Sequence, residues 1–153
     1  MLPKNILVPT DLSEGAEQAL DYACELARTL GAQIHLLNVI GIPALGVPEL
    51  GVALTASMID ELVVGNQDAM DRLAQSRSTQ MGQVMVRTGD ARDVINQTAK
   101  ELGVDLIVMG THGRRGISRA LLGSVAENVV RTAPCAVLTV RLRDVPHSDR
   151  DAA

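Results

Sequence analysis

The sequence predicts an α/β protein built on a doubly wound, open sheet of five parallel strands. Two features carry this. Short apolar runs rich in Val, Ile and Leu alternate with longer stretches of helical period, and several of the runs are apolar on both faces, as strands covered by helices on both sides must be. The 153 residues fit one ordinary domain, and 46% hydrophobic with 21% charged residues is a globular balance. We expect residues 1–143 to form that domain and 144–153 a polar tail.

The strands are read at Asn5–Pro9, Gln33–Val39, Gln83–Thr88, Asp105–Met109 and Ala136–Val140. Between the first two, Ala16, Ala19, Leu20, Ala23, Ala27 and Leu30 form one helical stripe, and Gly31 is a natural stop. Gly41–Gly51 is rich in Gly and Pro and reads as a loop. A helix over 55–78 follows, with Ile59, Leu62, Val63, Met70 and Leu73 expected to face inward. Ala91, Val94, Ile95, Thr98, Ala99 and Leu102 repeat the helical pattern up to Gly103, and a last helix runs from about Gly123 to Ala133, where Pro134 forces its end. Right-handed crossovers then give strand order 3-2-1-4-5, a Rossmann-like arrangement whose ligand crevice lies beyond the carboxyl ends of strands one and four.

Composition narrows the chemistry. A net charge of −4 argues against a nucleic-acid partner, and a single Tyr with no Phe or Trp removes the usual stacking platforms. No apolar run reaches the roughly 18 residues of a membrane span, and the N-terminus lacks the apolar stretch of a signal peptide. Cys24 and Cys135 have no metal-like spacing, so no metal site or disulfide framework is expected, and a cytoplasmic setting follows.

The residues after strand four carry the strongest signal. Gly110, Gly113 and Gly116 let backbone N–H groups converge without Cβ interference, and Gly123-Ser124 stands where a helix start offers free donors. The stretch reads as a two-part phosphate cradle, although a flexible glycine loop with a Ser N-cap accounts for the same letters. Neither a Walker loop nor a dinucleotide fingerprint occurs. After strand one, Asp11 or Ser13 caps the first helix, Asp11 and Glu14 having capping-box spacing; the same Pro9-Thr10-Asp11 stretch is placed to line an adenosine pocket.

The spacing Gly110-x-x-Gly113-x9-Gly123-Ser124 resembles the G-2x-G-9x-G-[S/T] signature of ATP-binding universal stress proteins. The likeness extends to Asn5-Ile6-Leu7-Val8-Pro9-Thr10-Asp11-x-Ser13, to Gly89–Ile95, to Asp105–Gly110 and to Ala133–Val140. It implies a fold of the adenine nucleotide alpha hydrolase-like type, with ATP, alone or with Mg2+, as the ligand. Pro9, Thr10, Asp11 and Val39 would meet the adenine and ribose side. Met109, Gly110, Gly113, Gly123, Ser124 and Val125 would hold ribose and phosphates. The family divides into ATP binders and non-binders, and the intact glycine pattern points to the former. The resemblance also implies a homodimer paired through the last strand, Val137 to Val140, acting as a regulatory module in stress response.

Arg114, Arg115 and Arg119 either neutralise the phosphates or form a solvated loop surface. No catalytic residue is assigned. A slow ATPase or self-phosphorylating enzyme on the same site is the alternative, with Thr111, His112, Ser118 and Ser124 as its only candidate groups, and no carboxylate is interleaved with them. His35 in mid-strand and Cys24 on the helix stripe read as structural.

Overall fold

The computed structural model describes residues 1–41, 56–77, 79–112 and 122–142. Its elements are β1 (Asn5–Pro9), α1 (Glu14–Leu30), β2 (Gln33–Ile40), α2 (Ala56–Gln75), β3 (Met81–Thr88), α3 (Ala91–Leu102), β4 (Leu106–Gly110), α4 (Ser124–Thr132) and β5 (Ala136–Val140). The strands form one sheet of order β3-β2-β1-β4-β5, with every neighbouring pair parallel. All of the expected Gly41–Gly51 loop but Gly41, and the whole 144–153 tail, lie outside the described residues.

Local chemistry fixes the helix ends. Ser13 caps α1 by accepting from the Ala16 N–H, and Gly31 closes it at φ 62°, where a Cβ would cost energy. Asp90 caps α3 in the same way through the Arg92 N–H, and Gly103 ends it at φ 59°. The Arg92 side chain also grips the Asp90 carboxylate, holding its pKa down at about 2.

Two apolar layers sandwich the sheet. On one face Ile6, Val8, Ile34, Leu36, Leu106 and Val108 meet Leu20, Ala23 and Cys24 of α1 and Met70 of α2. On the other, Leu7, Leu37, Ile107 and Met109 meet Ile95 and Ala99 of α3 and Ala126 and Val129 of α4. Ile6, Leu7, Val8 and Ile107 have no exposed surface, which is why these runs are continuous in hydrophobicity.

Three readings need adjustment. α2 begins at Ala56 and ends at Gln75, and Leu62, expected inward, is 47% exposed. The inward stripe runs through Ile59, Val63, Asn66, Met70 and Ala74, and Leu62 lies one position round from it. Its full burial begins only at Met70. β3 starts at Met81, earlier than expected, and its pairing with β2 shifts register between Ile34 and Leu36. His35 sits at that shift. It is buried, and its Nδ1 accepts from the Gln83 N–H at 3.0 Å. Only a glycine fits beside it, since a Cβ on Gly82 would lie 2.5 Å from the imidazole Cε1.

Burial pushes the His35 imidazole below its ordinary pKa. The folded protein therefore keeps this ring neutral while the unfolded chain protonates it. Stability is full above the ordinary value of about 6.5 and is lost as pH falls from there toward the lowered folded value, by at most about 1.4 kcal/mol per pH unit. Thermal melting across that window should show the decline in wild type, and His35→Gln should flatten it. Gly82→Ala should lower the melting midpoint even at neutral pH, because the ring or the strand has to move.

Candidate functional site

The β1–β4 pairing consists of Ile6↔Leu106 and Leu7↔Ile107, whereas β1 stays paired with β2 out to Pro9↔Leu37 and β4 with β5 out to Gly110↔Val140. The carboxyl ends of β1 and β4 are thus committed to their outer neighbours. The strand order reverses between them, and in open sheets of this kind that is where ligand crevices lie. Strand alternation puts Pro9 on the same face as Leu7, where Val39 and Met109 also pack, so these three site candidates share the α3/α4 side of the sheet.

The exit from β1 is held at every step. The Thr10 N–H donates to the Leu37 carbonyl at 2.8 Å, and Thr10 Oγ1 accepts from the Leu12 N–H at 3.0 Å. Asp11 Oδ1 accepts from the Ser13 N–H at 3.0 Å and from the Ser13 hydroxyl. Leu12 takes the left-handed conformation with φ 64°. This resolves the capping alternatives: Ser13 is the cap, and Asp11 braces the cap rather than forming a capping box with Glu14. Beneath the turn lies a polar pair that sequence reasoning missed. Buried Asn38 donates from Nδ2 to the Thr10 carbonyl at 2.9 Å, and its Oδ1 accepts from Asn66 Nδ2 of α2 at 3.0 Å.

The exit from β4 is shaped by close backbone approach. A Cβ on Gly110 would stand 3.1 Å from the Gly15 carbonyl oxygen at the start of α1. The Thr111 N–H donates to the Val140 carbonyl at 3.1 Å, and the Thr111 carbonyl accepts from the Gly123 N–H at 2.7 Å. A Cβ on Gly123 would be 2.9 Å from that same oxygen. Gly123 is the N-cap of α4 and brings no side-chain bond, so Ser124 is the first helical residue rather than the cap. Ser124 is exposed and Val125 packs against the α3/α4 layer. The start of α4 is thereby tied to the end of β4, with no cap side chain over its first-turn donors.

Gly113 and Arg114 lie outside the described residues, as do Arg115, Gly116, Ser118 and Arg119. His112 is half-buried, its Nδ1 2.9 Å from Thr111 Oγ1. Burial and the Asp105 charge push the Cys135 thiol up, which makes it a poorer nucleophile, and Cys24 is core. Among the described residues no group of His, Cys, Asp and Glu could hold a metal, and no helix is long and apolar enough to cross a membrane.

These contacts give Gly123→Ala a definite outcome. The added methyl meets backbone, so the Gly123–Thr111 bond breaks or lengthens, and the melting midpoint should fall in the protein without ligand. Ser13→Ala should cost about 1 kcal/mol through the lost α1 cap, read by denaturant unfolding.

Comparison with known proteins agrees with this fold. The model of the universal stress protein family matches residues 3–141. The Staphylococcus haemolyticus protein SH1215 is 34% identical over 148 residues, covering 94% of this chain and 87% of that one. Among solved structures, hypothetical protein MJ0577 superposes with a TM-score of 0.80 at 28% identity, over 95% of this chain and 100% of that one. A universal stress protein in complex with cAMP superposes with a TM-score of 0.62 at 25% identity, over 92% and 98%. On the strength of the match over nearly its whole length, the chain belongs to the universal stress protein family.

Proposed function

We propose that this protein is a nucleotide-binding regulatory module of stress response that takes ATP, alone or with Mg2+, in the crevice between β1 and β4. The observation that carries the reading is the parting of those two strands at their carboxyl ends, flanked by Pro9, Val39 and Met109 on one face and by the start of α4. Apolar side chains of this kind suit the faces of a base in a protein without stacking aromatics, and the N–H groups of a helix start suit phosphate oxygens. The cAMP complex of a relative supports an adenine ligand.

In this reading Pro9, Thr10, Asp11 and Val39 meet adenine and ribose. Met109, Gly110, Gly113, Gly123, Ser124 and Val125 hold ribose and phosphates, and Arg114 adds charge. Residues 1–143 act as one cytoplasmic domain. Two copies pair through Val137 to Val140 of β5, which ends the sheet and has half-buried side chains. Hydrolysis is no part of the proposal.

Calorimetric titration of Mg-ATP into nucleotide-stripped protein tests it, with GTP as control. Micromolar binding at about one site per chain, weaker for GTP, is the expected result; no heat and no thermal shift with ATP would sink the reading. Sedimentation should give twice the mass of one chain, and phosphate release measured on the same sample should stay at background.

A further inference from the structure

The buried Asn38–Asn66 pair has no part in the family signature, yet it joins α2 to the turn that carries Thr10 and Asp11. Three observations bear on it. Asn38 is 4% exposed in the middle of an apolar strand, a costly place for an amide unless its groups are paired. Both ends of its amide are used, the nitrogen on the Thr10 carbonyl and the oxygen on Asn66 Nδ2. The Thr10 N–H is meanwhile fixed on Leu37, so the peptide units on both sides of Thr10 are anchored to β2.

The geometry points to Asn38 and Asn66 as positioning residues: Asn66 anchors the Asn38 amide through its buried oxygen, Asn38 sets the Thr10 carbonyl, and the link couples α2 to occupancy of the site at the ends of β1 and β4. An Asn amide has a donor end and an acceptor end of nearly equal shape, so it can sit either way round. The Thr10 carbonyl can only accept, which selects the nitrogen, and Asn66 pairs the oxygen that would otherwise be buried without a partner. The nitrogen is left facing the Thr10 carbonyl, and the turn begins from one fixed direction. By reciprocity, a ligand that tightens the Thr10–Ser13 turn favours the α2 position that completes the relay.

The ligand part of this inference rests on the nucleotide reading, whereas the relay can be tested without any ligand. Amide hydrogen exchange on the unliganded protein reads it directly. Asn66→Ala should speed exchange of Leu12 and Ser13 about tenfold relative to wild type, leaving Leu7, Val8, Ile107 and Val108 unchanged. A merely structural role would instead raise exchange throughout the sheet. Asn38→Asp is the second variant: it keeps the acceptor for Asn66 but replaces the donor facing the Thr10 carbonyl with an oxygen. It should release the same two amides even where Asn66→Ala folds poorly. With Mg-ATP, wild type should show slowed exchange in α2 from Asn66 to Gln75 as well as in the turn. In Asn66→Ala the α2 effect should vanish and affinity should drop about tenfold. Exchange of Leu12 and Ser13 equal to wild type in both variants would overturn the relay. Absence of ATP binding to wild type, with the turn still released in the variants, would overturn the nucleotide reading and leave the relay standing.

Discussion

The commitment of β1 to β2 and of β4 to β5 organises everything else in this protein. Right-handed crossovers carry α1 and α2 to one face of the sheet and α3 and α4 to the other. Adjacent central strands therefore feed helices on opposite faces, and nothing in the backbone ladder draws their carboxyl ends together past Leu7 and Ile107. The start of α1 and the start of α4 come to flank the same gap. Gly110 lies against Gly15 on the α1 side, and Thr111 bonds to Gly123 on the α4 side. The starts of two helices thus stand at the point where the strand order reverses. That placement follows from topology before any ligand is considered.

The glycines look different once those contacts are known. From spacing alone, Gly110 and Gly123 serve either a phosphate or nothing in particular. The structure gives each a backbone neighbour that a Cβ would crowd, at 3.1 Å and 2.9 Å. A side chain at Gly123 would force the backbone apart, and one at Gly110 would need the Gly15 carbonyl to give by a few tenths of an ångström, whatever the site holds. Loss of binding on enlarging either one would therefore mix a steric effect on a ligand with a shift of the α4 start. A substitution at Val39, only partly buried on the α3/α4 face, separates the two more cleanly.

What the sequence made legible was whatever repeats or ends abruptly. Doubly covered strands announce themselves as apolar runs, and Gly31 and Gly103 mark helix ends because few other residues tolerate their backbone angles. Relations across the fold were not legible. Asn38 reads as a lone polar letter in Leu-Leu-Asn-Val-Ile, and its partner stands 28 residues further on. The register shift in β3 falls where His35 meets the bare backbone of Gly82, a pairing no periodicity records. Leu62 stands three residues after Ile59 and reads as inward by spacing, but the stripe that the fold covers passes through Val63, one position round. The choice between Asp11 and Ser13 as cap turned on Leu12, whose left-handed backbone no pattern of residue types required.

Leu12 also shows how the turn tolerates its own geometry. A non-glycine residue at φ 64° is disfavoured by roughly 1–2 kcal/mol. Glycine would relieve that, but Leu12 packs its side chain against the α1/α2 layer, and burying even part of a leucine offsets a cost of this size. Hydrogen bonds close the remaining freedom. Thr10 Oγ1 takes the Leu12 N–H, Asp11 takes the Ser13 N–H, and Asn38 takes the Thr10 carbonyl from below. Each is worth about 1 kcal/mol, and together they hold a conformation that no single one would fix. A turn held this way has only its residual freedom to lose, so a ligand that meets it finds Thr10 and Asp11 largely in place and has only that remainder to tighten.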